Sequence, residues 1–477
     1  MDQYLSMFLC AAGFTIGLIL FIIPKVAIWI LLVSIMLITG CVSYIMPAFN
    51  GITWANVIIA AIFSVRIIVF AEKEKYLQKQ IIPFPLIFIL IFAFYCLIAI
   101  FSNTFFKESI TASKNIFQFL SLPFVLFFGR WTQKNVSAYM IFILTVALIT
   151  PVIILIQAKI FGAGYDLITG TFGSSYLAGG GPNAAMSTFL VSQIGVLIFL
   201  AKYNYIPWAL TIVLSVFLLY GLTFTMAQAI IGFLLIVFVF VLLDYKINQF
   251  KKMIIFIFSF FVLFGFILNS YFMTTQDIKK NSLYMSPPKG YTEYLKNVVE
   301  SNLSPEYQNL NRTGLVLLWY RFNIENNDML GLIFGHGLGA TKSAGLEIGH
   351  IQKLFGNINI GRTALSALLW EVGILGTGIY LCIYVSAFCI AKKLNKIDLP
   401  GIHKVFIKSA QLSCLLFILS IPYKFSIIEN QPFNFYSFFI IGYICYWHRQ
   451  IYGNKCYREE YKIEGHPTKA HYDSCSA

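Results

Sequence analysis

Charge is scarce in this 477-residue chain: Asp, Glu, Lys and Arg together make up 11% of it, against 58% hydrophobic residues and 17% aromatics. Mean hydropathy is +0.77. A water-soluble globule of this composition has nowhere to put its apolar surface, so that class is excluded. The apolar runs also lack the strict alternation of barrel strands. That leaves helices, since in hydrocarbon only helices and closed barrels satisfy their own backbone groups. The first run has no basic n-region before it and no small-residue cleavage site after it, so it reads as a retained span rather than a signal peptide. Internal repeats and low-complexity linkers are missing too. None of the nine cysteines falls within 273–364, which argues against disulfides and thiol catalysis in that segment.

What is present is a series of apolar stretches at 4–23, 26–46, 53–70, 81–101, 110–128, 136–156, 184–201, 206–220, 225–243, 253–272, 365–391, 405–421 and 433–447. They predict an all-α integral membrane protein of about 12–13 transmembrane helices, although several are shorter than the roughly 20 residues of a perpendicular span. Net charge is +14, and its placement sets the expected orientation. One set of connections carries Lys25; Lys73, Lys75 and Lys79; Arg130 and Lys134; Lys202; Lys246, Lys251 and Lys252; the run from Lys392 to Lys408; and the tail from His448. The opposite short connections carry only Lys107, Lys114, Lys159 and Lys424. Positive residues in short loops stay cytoplasmic, so the N-terminus and 273–364 are expected outside. The basic charge is therefore topological, and no nucleic-acid partner is expected.

The organisation that follows is an N-terminal membrane region at 1–272 with a short outer loop at 157–183. A large outer loop covers 273–364, C-terminal spans cover 365–447, and a cytoplasmic tail covers 448–477. Within the large loop, 291–301 and 312–325 have helical character, while Ser286-Pro287-Pro288 and the glycine-rich 335–345 break helices. Leu315, Val316, Leu317, Leu318, Trp319 and Tyr320 are too apolar to lie bare in water, so the loop is expected to be an ordered cap packed on the bundle or the membrane surface.

Several residues there suit an anionic ligand. Arg312 shares a helical face with Leu315, Val316 and Trp319, and at a helix start its guanidinium fork adds to free backbone N–H groups, as a phosphate requires. Arg321, nine residues on, points the other way and reads as a snorkelling interfacial Arg. In Gly335-His336-Gly337-Leu338-Gly339 the glycines leave room for main-chain N–H groups to approach a diphosphate, with a plain turn as the alternative. The run is not a dinucleotide fingerprint, because no βαβ unit surrounds it. Arg362 precedes the span that holds Glu371, an intramembrane acid that is either functional or bonded to backbone or a neighbouring Arg. Arg66 lies near the inner end of its span and reads as snorkelling. Asp166, His336, Glu347 and His350 are the outer residues able to accept a proton. Neither Asp-x-Asp nor His-x-x-x-His spacing occurs in the outer segments, so neither a metal nor another cofactor is expected.

Three separated segments together resemble the O-antigen polymerase and O-antigen ligase superfamily of bacterial polysaccharide assembly. The first runs from Asp166 through Gly170-Thr171-Phe172-Gly173 to Asn183. The second is Arg312, an apolar helix, then Phe334-Gly335-His336-Gly337-Leu338-Gly339. The third is Arg362-Thr363-Ala364-Leu365, followed by Leu368-Leu369-Trp370-Glu371-Val372-Gly373-Ile374-Leu375-Gly376. The likeness covers most of 157–390. Two departures stand out. Ligases of the family usually have His at the position of Arg362, and many members place Arg or Lys where this chain has Thr223-Phe224-Thr225-Met226-Ala227-Gln228.

The resemblance implies a GT-C-like, metal-independent membrane glycosyltransferase, with polymerase the preferred member and an O-antigen ligase transferring glycan to an acceptor as the alternative. It would join repeat units carried on undecaprenyl diphosphate at the outer face of the bacterial cytoplasmic membrane. The implied partners are the lipid-linked oligosaccharide, membrane lipids, a chain-length regulator and a flippase. Arg312 and Arg362 would neutralise the departing diphosphate, with His336 or Asp166 as base. Gly335, Gly337, Gly339, Arg321, Trp319, Glu371 and Asn183 would line the substrate, Trp319 by stacking on sugar. A flippase for the same lipid is the non-enzymatic rival, although inverted repeats and a broken helix pair are missing. A peptidoglycan-type polymerase of the shape and division family fits the glycine-rich and Trp-Glu-Val-Gly contexts less well.

Overall fold

The structure, a computed structural model, describes residues 2–46, 52–71, 81–102, 106–162, 167–173, 182–225, 229–245, much of 253–269, 312–343, 348–356, 358–423 and 426–453. Asp166, Glu347, the expected helix at 291–301 and most of the tail lie outside these residues. So do Lys73 and Lys424.

All regular structure among the described residues is helical. α1 (Asp2–Ile22) and α2 (Pro24–Val33) lead through a π-helical turn at Ser34–Ile38 into α3 (Thr39–Ile45), and α4 (Ile52–Ala71) packs back along α1. α5 (Phe84–Ser102), α6 (Phe106–Phe117), α7 (Leu122–Phe128) and α8 (Gln133–Lys159) follow. A short 3-10 turn at Gly170–Phe172 precedes α9 (Pro182–Lys202), α10 (Trp208–Thr223) and α11 (Ala229–Leu242), and further helical residues lie between 253 and 269. α12 (Arg312–Glu325), α13 (Met329–Phe334) and α14 (His350–Phe355) form a cap, and α15 (Ala364–Leu394), α16 (His403–Ser420), α17 (Ser426–Glu429) and α18 (Gln431–Gly453) complete the chain's described part.

Among the described residues, six stretches are long and apolar enough to cross a membrane: Val26–Ile45, Phe84–Phe101, Glu108–Phe128, Gln133–Lys159, Pro182–Lys202 and Ala364–Leu394. Shorter apolar helices occur at Met7–Ile19, Ile52–Arg66, Trp208–Thr223 and Ile230–Leu242. The expected spans at 405–421 and 433–447 correspond to α16 and α18. Both are more polar, and their polar groups bond inside the bundle. Tyr436 Oη gathers Ser192 Oγ at 2.7 Å, Gln193 Nε2 at 2.9 Å and Ser413 Oγ at 3.1 Å. Such interhelical bonds hold helices together where hydrocarbon supplies no hydrophobic drive. On the outside, Phe94, Val213 and Phe258 are 67%, 63% and 71% exposed, a surface suited to lipid rather than water.

Three expected spans differ from straight helices. The stretch expected at 110–128 is broken between α6 and α7, because Pro123 has no N–H to continue the ladder. The stretch at 26–46 carries the π-turn, where Thr39 Oγ1 donates to Ser34 O at 2.6 Å. α15 is interrupted at Gly373, whose φ of 65° and ψ of −170° no L-residue adopts readily. In addition, α18 continues to Gly453, past the expected start of the tail at 448.

At the centre stands α9, buried over its whole length from Pro182 to Lys202. A helix buried all round needs no amphipathic stripe, which is why its polar residues are paired rather than segregated. The cap sits at one end of the bundle, on the starts of α6 and α15. At the other end Lys202 and Lys408 cluster on Asp244. Arg449 donates to the carbonyls of Phe127 and Gly129, the latter at 2.9 Å.

Candidate functional site

The cap is fastened to the bundle at the break in α15. A helix broken at Gly373 frees the carbonyls of Trp370 and Glu371, and these accept from the cap: His336 N–H donates to Trp370 O at 2.7 Å and Gly337 N–H to Glu371 O at 3.1 Å. A Cβ on Gly335 would overlap the Glu371 backbone, and one on Gly373 would overlap Ile333 O. Tyr95 Oη from α5 lies 2.9 Å from both Phe334 O and Val372 O, closing the seam. The Glu371 carboxylate, 7% exposed, accepts from Thr341 Oγ1 at 2.6 Å and from the backbone N–H groups of Gly339 and Thr341. Of the two expected readings of Glu371, the geometry follows the one in which it bonds backbone.

The diphosphate cradle expected at 335–339 is therefore not what these residues form. The N–H of Gly335 goes to Gly331 O at 2.9 Å, those of His336 and Gly337 go to α15, and Gly339 N–H goes to Glu371. Gly339 also lies against the Glu108 backbone. The glycines are needed for close approach, as expected, but the approaching group is protein.

His336 is likewise built into the cap. Asn323 Nδ2 donates to Trp319 O at 2.8 Å, which turns Asn323 Oδ1 toward His336 Nε2 at 3.1 Å. An amide oxygen only accepts, so Nε2 carries the proton and Nδ1 holds the lone pair. Nδ1 faces Asp328 Oδ2 at 3.7 Å, and the ring packs on Trp370 at 5.4 Å. Burial pushes the imidazole below its ordinary value, against the opposing pull of Asp328. A base whose lone pair faces a carboxylate inside a packed core is badly placed to meet a sugar hydroxyl.

Trp319 is 4% exposed and packs with Leu332, Ile351, Ile360, Leu369 and Trp370, so it is cap core rather than an open sugar platform. His350 is also engaged: its N–H and Nδ1 lie 3.1 and 3.0 Å from Glu108 Oε2 at the start of α6. Asn183 is buried at the start of α9 and donates to Thr225 O at 3.2 Å, bracing the turn after α10. Arg321 is exposed on the far side of α12, with Leu317 and Tyr320 also exposed at 41% and 52%.

Arg312 and Arg362 behave differently. Arg312 opens α12, and its Cζ stands 3.8 Å from the centroid of the Tyr423 ring, to which it also makes a side-chain hydrogen bond. Burial lowers the guanidinium from its ordinary value, Tyr423 favours the charged form, and repulsion from Arg362 lowers it further. Arg362 itself is exposed, in the turn just before the Thr363–Ser366 capping box that starts α15. A bond from Leu365 N–H to Ile421 O at 3.0 Å ties that turn to the 421–423 turn carrying Tyr423. Three separate connections thus meet here, with Arg312 stacked on Tyr423 and within electrostatic reach of Arg362.

Nearby, Lys114 and Lys342 interact electrostatically with Glu429, and Lys114 Nζ donates to Thr53 Oγ1 at 2.7 Å while sitting 4.7 Å from the Trp54 ring centroid. Gly361 packs against Thr341, so Lys342 and Arg362 flank one contact. Lys342, Tyr423 and Glu429 were not picked out by sequence reasoning. The only signal available was that Lys114 belongs to the few basic residues expected on the cap side.

Fold and site together define a multi-pass membrane protein, helical throughout the described residues, with Arg312, Arg362 and Lys342 on the cap side of the bundle. Compared with known proteins, the chain matches no family model, no curated protein and no solved structure.

Proposed function

We propose that the chain is a membrane glycosyltransferase that polymerises undecaprenyl-diphosphate-linked oligosaccharide repeat units, of O-antigen, capsule or exopolysaccharide type, with the cap on the outer face of the bacterial cytoplasmic membrane. The observation that carries this reading is the Arg312–Arg362 pair beside Tyr423. Holding two guanidinium groups close costs free energy that a doubly charged anion between them recovers. A departing lipid diphosphate is such an anion.

In the proposed reaction an acceptor-sugar hydroxyl attacks the anomeric carbon of the lipid-linked donor. The new glycosidic C–O bond forms as the bond to the diphosphate oxygen breaks, and the electron pair leaves with the diphosphate. Arg312, fixed by Tyr423, and the exposed Arg362 stabilise that developing charge. The hydroxyl proton passes to a base on the cap side. Of the two bases that the family resemblance implies, the buried ring of His336 is the weaker choice, which favours Asp166. The prenyl chain lies along the lipid-facing helices.

Surface polysaccharide from a strain carrying Arg312→Ala or Arg362→Ala, run on a gel, tests the proposal. Single-repeat caps with normal membrane levels of the protein are expected. A normal ladder from both variants overturns it, complete loss of attached glycan points to ligase, and the same loss with accumulation of unexported lipid-linked repeats points to flippase.

A further inference from the structure

The bundle end opposite the cap holds a second set of groups that the proposed reaction does not use. Between α9, α10, α11 and the helical residues after 253 lies a partly open cavity, lined by Ile198, Trp208, Ser215, Leu234, Phe256 and Phe260 among others. Its wall is almost wholly hydrocarbon and aromatic. At its mouth, Phe256 meets Trp208 at 6.5 Å and Tyr245 at 5.8 Å between ring centroids. Tyr245 in turn lies under Lys202, whose Nζ stands 4.2 Å from the ring centroid.

Two features of this mouth call for a ligand. Lys202 and Lys408 both bind one carboxylate, Asp244, at 2.6 and 2.7 Å, so the cluster keeps one positive charge in excess. Beside it, Trp208 Nε1 and Tyr245 Oη are buried without a hydrogen-bond partner among the described residues, as is Ser215 Oγ deeper in the cavity. Unpaired buried donors are costly, and an indole N–H only donates, so the missing partner must bring acceptors. Ser215 lies seven residues along α10 from Trp208, about 10 Å deeper at 1.5 Å per residue, alongside the apolar part of whatever enters.

Phosphate against the lysines, carbonyl acceptors one layer in and a hydrocarbon chain below describe one kind of molecule. We propose that this end of the bundle binds a diacyl glycerophospholipid: its phosphate meets Lys202 and Lys408, its ester carbonyls accept from Trp208 and Tyr245, and one acyl chain fills the cavity. A polyprenyl phosphate offers the anion and the chain but no ester carbonyls at that depth. The order of the layers, and not apolarity alone, selects the diacyl lipid.

The test is native mass spectrometry of the purified, delipidated full chain titrated with phosphatidylglycerol carrying ester-linked chains, and separately with its ether-linked counterpart. Wild-type protein should take up one ester lipid and bind the ether lipid about tenfold more weakly, or about 1.4 kcal/mol. Ser215→Leu, which fills the cavity, and Lys408→Gln, which removes the excess charge, should each weaken the ester lipid by a similar factor. Equal affinity of wild-type protein for ester and ether lipids overturns the proposal. So does preferential uptake of a polyprenyl monophosphate. Because the ester–ether comparison uses wild-type protein, a folding defect in either variant leaves the proposal open to refutation.

Discussion

The seam at Gly373 and the arginine pair lie at the same end of the molecule, yet they settle their polar groups in opposite ways. At the seam the backbone donors find protein acceptors: His336 and Gly337 N–H reach the carbonyls freed by the break, and Glu371 collects Thr341 and two backbone N–H groups. At Tyr423, Arg312 stacks on the ring and feels the like charge of Arg362. The first arrangement satisfies its backbone groups from within the protein and so holds the cap in place. The second is improved by an anion, and that contrast separates structural from functional candidates more reliably than residue type does.

The sharpest way to break this comparison is at the arginines. Arg312→Ala should reduce chain growth by about 100-fold or more, as loss of one preorganised donor to a developing oxyanion does. The double variant Arg312→Ala/Arg362→Ala should be little worse than either single one, because both act on the same leaving group. Fully additive losses in a repeat-unit polymerisation assay would show that the two residues serve different steps. A conservative Arg312→Lys should recover only part of the rate, since an ammonium cannot keep the planar contact with Tyr423.

Next in size are changes at the seam, which should lower stability instead. Gly373→Ala puts a side chain at φ 65° and against Ile333 O, at a cost of about 1–3 kcal/mol. Thermal unfolding in detergent measures it, and an unchanged midpoint would mean that the break does not hold the cap. Thr341→Val removes the donor to Glu371 Oε1 and should cost about 1–3 kcal/mol for the unsatisfied acceptor. Limited proteolysis should then cut the cap sooner than the bundle.

The smallest expected effect concerns His336. Burial holds its folded value below the ordinary histidine value near 6.5. The unfolded chain therefore binds a proton first as pH falls. Stability from this group is fully present above that unfolded value and is lost as pH drops through the lower folded one. His336→Gln should flatten the part of the midpoint-versus-pH curve below neutrality that it contributes, while leaving polymer length near normal. A collapse of polymer length with an unchanged unfolding midpoint would restore His336 to the chemistry.

Much of the frame could be read directly from composition and run length. The apolar stretches expected at 81–101, 136–156 and 184–201 each coincide with one described helix to within a few residues, those at 26–46 and 365–391 with interrupted ones, and the helix expected at 312–325 is α12. The breaks were harder. Pro123 is a visible signal inside 110–128, whereas Gly373 sits among residues that suit a continuous helix, and only the docked cap requires its interruption. The glycine-rich run 335–339 announced a close approach without saying by what. Backbone conformation is local and readable, but the identity of the approaching group depends on residues 36 positions away, as Gly335 and Glu371 show.

The sequence by itself determined that this chain lives in lipid: with so little charge and such long apolar runs, no other solvent accepts it. Which of its polar residues are spent on one another and which are held for something else was decided only by the tertiary structure. The physical reason is that a hydrogen bond or an ion pair is a relation between two groups, and the pairings of Glu371, His336, Arg312 and Lys202 span parts of the chain that folding alone brings together.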